Sequence, residues 1–323
     1  VFVSIPLLNI HTLFMHNGFT WRDLHSVRNG SAYWDFDQVV GGIRKNQLLS
    51  FDHRLDWLKF GFRVNKNFFS ANVSEVIHAD FAYPREFVNL LYYGNAAYIG
   101  ETVSLKKMGL HASHYREYAL GYSREIDDRW NAGIRMKYLY GMENIRTEPA
   151  DLSIYTDATD YSLVLNTDYV VNTSLLANDD PGYDRFDTTG SERRRFLREY
   201  FWRQQNHGFG FNAGVQFRMD DQWRFNLSVV DIGFINWSSN VRNYKATRGT
   251  YSFSGIDLDR FINDSDATFQ EVLDSLGQSF EPVESRNAYT SPLAGRVILS
   301  AVYQLNPGTQ FSALVQGRRL YHR

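Results

Sequence analysis

The chain has 323 residues, a net charge of −2 and no cysteine, which excludes a disulfide scaffold, a thiolate metal centre and a cysteine nucleophile. The near-neutral balance argues against a nucleic-acid partner, and no apolar run reaches the length of a transmembrane helix, in keeping with a mean hydropathy of −0.40. With 43% hydrophobic and 16% aromatic residues and only 7 prolines, the composition is that of a folded, β-rich chain and not a disordered one.

Taken in chain order, 1–46 is mixed, with a turn signal at Asn17-Gly18-Phe19. Strands are predicted at about 47–64 and 68–83. In the first, Leu58, Phe60, Phe62 and Val64 alternate with Lys59, Gly61 and Arg63, so the two sets face opposite sides of a sheet. Residues 84–94 read as a short helix, because Pro84 suits a helix start and Phe87, Leu90 and Leu91 fall at helical spacing. Strands resume from 108 to 140.

The first of three hairpins with a shared layout spans 115–140. Trp130, Ala132, Ile134, Met136, Tyr138 and Tyr140 alternate with Asn131, Gly133, Arg135, Lys137 and Leu139. Before the turn Asp127-Asp128-Arg129, Tyr118, Leu120 and Tyr122 oppose Glu117, Ala119, Gly121 and Ser123. Residues 161–174 are predicted as one further alternating strand. The second hairpin spans 209–230: Phe209, Phe211, Ala213, Val215 and Phe217 precede Asp220-Asp221-Gln222, and Trp223, Phe225, Leu227 and Val229 follow. The apolar set then moves from odd positions to Ile232 and Phe234, a phase slip that predicts a β-bulge near Asp231. The third hairpin spans 296–315, around Asn306-Pro307-Gly308.

Long polar segments at 142–160, 175–207 and 240–291 separate these elements. Short turns on one side, long segments on the other and half-apolar strands predict an all-β fold: an antiparallel transmembrane β-barrel with a few short helices at the loop end. A soluble antiparallel fold also alternates. Two details favour lipid: aromatics stand at strand ends, and the other face mixes glycine and alanine with charge, as a lumen does. Arg135, Lys137, Arg218 and Arg224 are the lumen-facing candidates. Arg193, Arg194, Arg195, Arg198 and Arg203, on a short helical pattern with Phe196, Leu197, Tyr200 and Phe201, are candidates to contact a partner or a lipid head group.

Several stretches resemble an uncharacterised outer-membrane β-barrel family of Bacteroidota, distantly similar to barrels that accompany the type IX secretion system. They are Asn17-Gly18-Phe19, Gly94-Asn95-Ala96-Ala97, the run from Tyr115 to Ser123, Lys137-Tyr138-Leu139-Tyr140-Gly141, and the run from Asp231 to Trp237. The resemblance covers about 17–303 and implies no catalytic residues. It implies the outer membrane as location, one barrel domain over 1–323, and further strands beyond Arg323.

Chemistry-bearing motifs are sparse. His111 and His114 are three apart on a strand and face opposite ways; His78 can approach one of them across strands, but no third ligand is evident, so no metal is expected. Gly208, Gly210 and Gly214 are spaced as small inward strand residues, not as a nucleotide fingerprint. Asn263-Asp264-Ser265-Asp266 offers oxygen ligands but lacks the glycine of a calcium loop. No cofactor is expected. The reading is a non-enzymatic structural or accessory subunit of an envelope or secretion assembly, with outer-membrane lipid and protein subunits as partners. The alternative is a transporter or channel for a small or hydrophobic solute.

Overall fold

In the computed structural model, the described residues are 2–4, 9–20, 25–28, 31–34, 36–149, 151–175, 206–246, 251–253 and 282–318. Strands β1 (Phe2–Ser4), β2 (Ile10–His16), β3 (His25–Arg28) and β4 (Ser31–Trp34) precede helix α1 (Phe36–Gly42). The tall pair β5 (Asn46–Val64) and β6 (Asn67–Pro84) follows, then helix α2 (Arg85–Tyr93) and β7 (Thr102–Ser104). A second tall pair is β8 (Gly109–Glu125) and β9 (Trp130–Thr147), followed by the short β10 (Leu152–Thr156), β11 (Leu163–Thr167) and β12 (Val170–Ser174). The third pair is β13 (Asn206–Arg218) and β14 (Trp223–Trp237), followed by β15 (Val241–Lys245), β16 (Tyr251–Phe253), β17 (Val283–Ser285) and β18 (Tyr289–Pro292). The last pair is β19 (Arg296–Asn306) and β20 (Thr309–Arg318).

The main sheet is antiparallel and runs β1-β5-β6-β8-β9-β13-β14-β19-β20. Its four tall pairs turn at the same end, through short connections between β5 and β6, β8 and β9, β13 and β14, and β19 and β20. The turns are built by side chains. Asp127 accepts hydrogen bonds from the backbone N–H groups of Arg129 and Trp130, both at 2.8 Å, and Asp220 does the same for Gln222 and Trp223 at 2.9 and 2.7 Å. Asn65, in the first turn, takes a left-handed φ of 51°, a conformation that asparagine tolerates.

At the other end the sheet forks. The turn-side part of β9 pairs with β13 up to Gly141, and its far end, from Asn144, pairs with β12. In the same way β14 pairs first with β19 and then with β18. The forks sit beside irregularities. The β8–β9 register shifts at His114/Tyr115, and the β13–β14 register shifts between Phe211 and Ala213, opposite Asp231 with its φ of 58°. The predicted bulge near Asp231 is therefore present.

Two sequence expectations need correction. The strand predicted over 161–174 is two strands in different sheets: β11 lies in the small sheet β16-β11-β10-β7, and β12 joins the main one. The break falls at Asp168–Tyr169, where the Asp168 side chain accepts from the Asp151 N–H at 2.7 Å and Tyr169 packs with Val103, Leu105 and Leu152. The segment 142–160 is not all loop either, because β9 runs on to Thr147 and β10 follows. Residues 193–203 and 263–266 lie outside the described residues.

Alternation divides the main sheet into two unlike faces. Leu120, Ile134, Met136, Phe209, Leu227, Leu299 and Val315 are exposed on one side. Rings mark its limits, with Trp130 against Phe217 and Trp223 against Tyr303 near the turns, and Tyr138 against Phe209 toward the forks. The eight steps from Phe217 to Phe209, at ~3.4 Å each and tilted by ~40°, give an apolar band of roughly 21 Å, close to the ~25 Å of a membrane barrel. Side chains of the other face meet one another across strands distant in the sheet order, which only a concave face permits. Arg318 of β20 reaches Ser50 and Asp52 of β5 and Asp80 of β6.

Toward the forks the concave side is packed by Val76, Tyr115, Leu139, Ile235, Trp237, Val241 and Leu293. Here β13 and β14 approach so closely that a Cβ on Gly233 would stand 2.3 Å from the Phe209 carbonyl oxygen, whereas one on Gly317 would meet nothing within 4 Å. Gly233→Ala is expected to lower the unfolding free energy by about 1–3 kcal/mol and Gly317→Ala to leave it within about 0.5 kcal/mol, read by urea titration in detergent; equal effects would remove the close approach from the account. The turn carboxyl of Asp127 is held below its ordinary value by the two backbone N–H groups. Its contribution is complete above the unfolded-state value and is lost as pH falls through the lowered one, so an NMR titration should find its midpoint below that of a free aspartate.

Candidate functional site

The chemistry-bearing side chains converge at mid-height on the concave face. Arg54 of β5 donates through Nη2 to Glu117 of β8 at 2.6 Å and through Nε to Asp56 at 3.3 Å. The second oxygen of Glu117 meets Lys137 Nζ of β9 at 3.0 Å. Lys137 also contacts Asp231 Oδ1 at the bulge of β14, and Asp231 Oδ2 accepts from Arg296 of β19 at 3.2 Å. The chain Arg54–Glu117–Lys137–Asp231–Arg296 thus alternates in sign and, with Asp56, carries three cations and three carboxylates. Ser74 donates to Asp56 at 2.7 Å, and Asn72 donates to Ser74 at 2.9 Å. Glu117 and Lys137 are almost wholly buried, at 0% and 3% exposure. Such charges are tolerated only when paired and hydrogen-bonded, as these are.

A second group lies beside it. His78 of β6 contacts Asp52 at 2.8 Å through Nδ1 and Asp80 at 3.2 Å through Nε2. Arg318 meets Asp52 at 3.3 Å, Asp80 at 3.2 Å and Ser50 at 2.8 Å. The His78 and His111 rings are 5.7 Å apart, so His78 does approach His111 across strands. Among the described residues no three His, Asp or Glu side chains are arranged to hold a metal ion.

Between the two groups is a cavity of about 70 Å³, bordered by Asp52, Arg54, His78, His111, Tyr115 and Arg296 among others. This volume holds a few waters or a small solute. The Nε of Arg296 is buried and meets no acceptor among the described residues. Imidazole, carboxylate, guanidinium and phenol groups around one small space allow binding of a polar solute. The Ser113 hydroxyl, which also borders the space, lies 3.3 Å from His111 Nε2.

The convex face carries a contrasting ionic group at the upper edge of the apolar band. Glu75 accepts from Arg116 at 3.0 Å and Trp57 at 3.3 Å and contacts His114 at 2.7 Å. His114 therefore faces away from His111, as their spacing predicts. On the same face Tyr138 and His207 are joined at 2.6 Å. This row marks where lipid-compatible surface gives way to polar surface.

Of the four lumen candidates, all stand on the concave face, but they are not equivalent. Lys137 is buried in the ion chain; Arg135, Arg218 and Arg224 lie nearer the turns, and among the described residues Arg224 donates to the neutral amides of Gln304 and Gln310, at 3.5 and 3.3 Å. The arginine-rich candidates 193–203 lie outside the described residues. Sequence reasoning did not single out Arg54, Glu117, Arg296 or Arg318, and it named His78 only as a possible neighbour of the other histidines and Asp231 only as the site of a bulge. The one signal for Glu117 was its place on the polar side of the alternation in β8.

No curated protein matches the sequence. Among solved structures, the chain is similar to the crystal structure of the Pseudomonas putida toluene transporter TodX, with 8% identity and a TM-score of 0.34. That match covers 96% of this chain but 63% of TodX, so the chain spans somewhat less than two thirds of that protein's length. Over residues 1–323 the sequence matches the model of a family of unknown function, DUF5723, and the chain belongs to that family.

Proposed function

We propose that the chain spans the bacterial outer membrane as a β-barrel and serves there as a non-enzymatic structural or accessory subunit of an envelope assembly. The observation that carries this reading is the filling of the concave face. Its mid-height charges neutralise one another, and apolar side chains close the space toward the forks. A conducting pore keeps its polar lining in water instead. The ring-bounded apolar band on the convex face supports the membrane placement. A connection to secretion rests on the sequence resemblance alone.

One observation favours the second reading, a transporter of a small solute: the cavity beside Arg296, with its buried donor lacking an acceptor among the described residues. Reconstitution separates the two. The protein in a planar bilayer should give no steady conductance, and material isolated from native membranes should carry other subunits in fixed ratio. A steady unitary conductance from a lone chain, or a solute retained in the cavity, would decide for transport.

The membrane placement has its own test. Met136, exposed on the convex face, should become Arg at a cost of about 2–4 kcal/mol when the protein unfolds from phospholipid vesicles. The same substitution should cost much less in a water-soluble setting. A cost under about 0.5 kcal/mol in vesicles would place this face in water.

A further inference from the structure

Below the ion chain, the concave face changes character. From the turns upward it presents Arg63, Arg218, Arg224, Arg135 and Lys59, and the carboxylate it sets against them is Glu125, which is paired with Arg63. Around them stand Gly121, Ser123, Gly133, Gly214, Gln216, Asn226 and Ser300, all uncharged. Among the described residues, Lys59, Arg135, Arg218 and Arg224 meet no carboxylate within ion-pair distance. The charges of this face are thus segregated: neutral pairing at mid-height, unbalanced cations toward the turns.

The sharpest point is the pair Arg218 and Arg224. They are directly opposite in the β13–β14 register, at the last rung before the turn. Opposite residues on one face have Cβ atoms ~4.5–5.5 Å apart, and like charges there repel. Neutral groups surround the pair on the concave side: Gln216 donates to Asn226 at 2.8 Å on the next rung, and Gln304 and Gln310 accept from Arg224. The adjoining turn carries two carboxylates. Asp220 is engaged by the backbone N–H groups of Gln222 and Trp223, and Asp221 is exposed. Glu125 lies near enough to Arg218 to interact with its charge but bonds to Arg63.

Arg218 and Arg224 stand opposite each other on one rung, Arg224 uses one terminal nitrogen on the Gln304 and Gln310 oxygens, and neither meets a carboxylate within ion-pair distance among the described residues; an arginine so placed is suited to a tetrahedral or planar oxyanion, which it can grip through two N–H groups. We propose that Arg218 and Arg224 form a binding site for a small oxyanion, phosphate or carboxylate, at the turn end of the lumen, and that Arg135 and Lys59 extend the attraction toward the ion chain. A bound oxyanion would convert the repulsion of the rung into two charge-assisted contacts. The proposal rests on reading the concave face as a water-accessible lumen at this end.

The test uses the whole chain in nanodiscs, with inorganic phosphate and, separately, acetate titrated at constant ionic strength by calorimetry and thermal unfolding. Phosphate should saturate at one per chain and raise the unfolding temperature, and acetate should bind at the same place more weakly. Arg218→Gln/Arg224→Gln should lose at least tenfold in phosphate affinity, while Arg135→Gln, outside the pair, should lose less than threefold. Should the double variant fold poorly, single Arg224→Gln serves, because removing the like-charge contact should leave the anion-free protein at least as stable. Undiminished affinity in the pair variant, or equal stabilisation by chloride, would overturn the site. Because the chain has no cysteine, Ser228→Cys provides a single concave-face thiol. If a water-soluble thiol reagent fails to reach it, the lumen reading itself is wrong; if it reacts and phosphate still does not bind, the oxyanion proposal alone fails.

Discussion

The rest of the structure depends on one buried chain of alternating charges, Arg54–Glu117–Lys137–Asp231–Arg296, which ties β5, β8, β9, β14 and β19 together across the concave side. Water pays the cost of exposed charges in a soluble protein. Here the apolar band of the convex face turns most strand charges inward, and those buried at mid-height must find each other. Removing two ions from water is expensive, and their attraction offsets that cost only when geometry and additional hydrogen bonds are good. Ser74, Asn72 and the paired oxygens of Glu117 and Asp231 supply those bonds. The net gain in stability over an apolar interior is therefore small, but the arrangement is selective: a slip of one residue in any of these strands would turn its charge to the convex face and orphan its partner.

The backbone irregularities follow from the same constraint. Asp231 sits at a bulge with a positive φ, and there it can reach Lys137 on one side and Arg296 on the other. Its own N–H is held by the Asn212 side chain at 2.9 Å. The bulges and strand changes lie near the level where the ion chain ends and the apolar packing of Tyr115, Leu139 and Trp237 begins. Above it the sheet divides, and the short strands β12, β15, β17 and β18 take over pairing. Filled interior, forked rim and ring-bounded convex band are thus parts of one solution for burying polar and apolar groups on opposite sides of the same strands.

Much of this was legible in the sequence, and the reason is the period of two. Alternation in Trp130–Tyr140 and Phe209–Phe217 assigned every side chain to a face, and the phase slip after Val229 located the bulge. What alternation cannot carry is pairing. Arg54 and Glu117 are 63 positions apart, Lys137 and Asp231 are 94 apart, and nothing local to either residue names its partner. Lys137 therefore read as a lumen-lining cation although it is sealed in an ion pair. The division of 161–174 between two sheets was hidden for a related reason: Asp168 and Tyr169 keep the alternating pattern locally, and only tertiary contacts to Asp151 and Leu152 turn the chain there.

A double-mutant cycle on Glu117 and Lys137, measured by unfolding in lipid, tests the role of the ion chain most directly. Glu117→Gln or Lys137→Met alone should each cost about 3–5 kcal/mol, because each strips a buried ion of one of its two partners and unbalances the charge of the chain, and the double variant should recover at least about 1.5 kcal/mol of the summed loss. Additive losses, with no recovery in the double variant, would mean that these side chains do not act as a buried pair and would contradict the account.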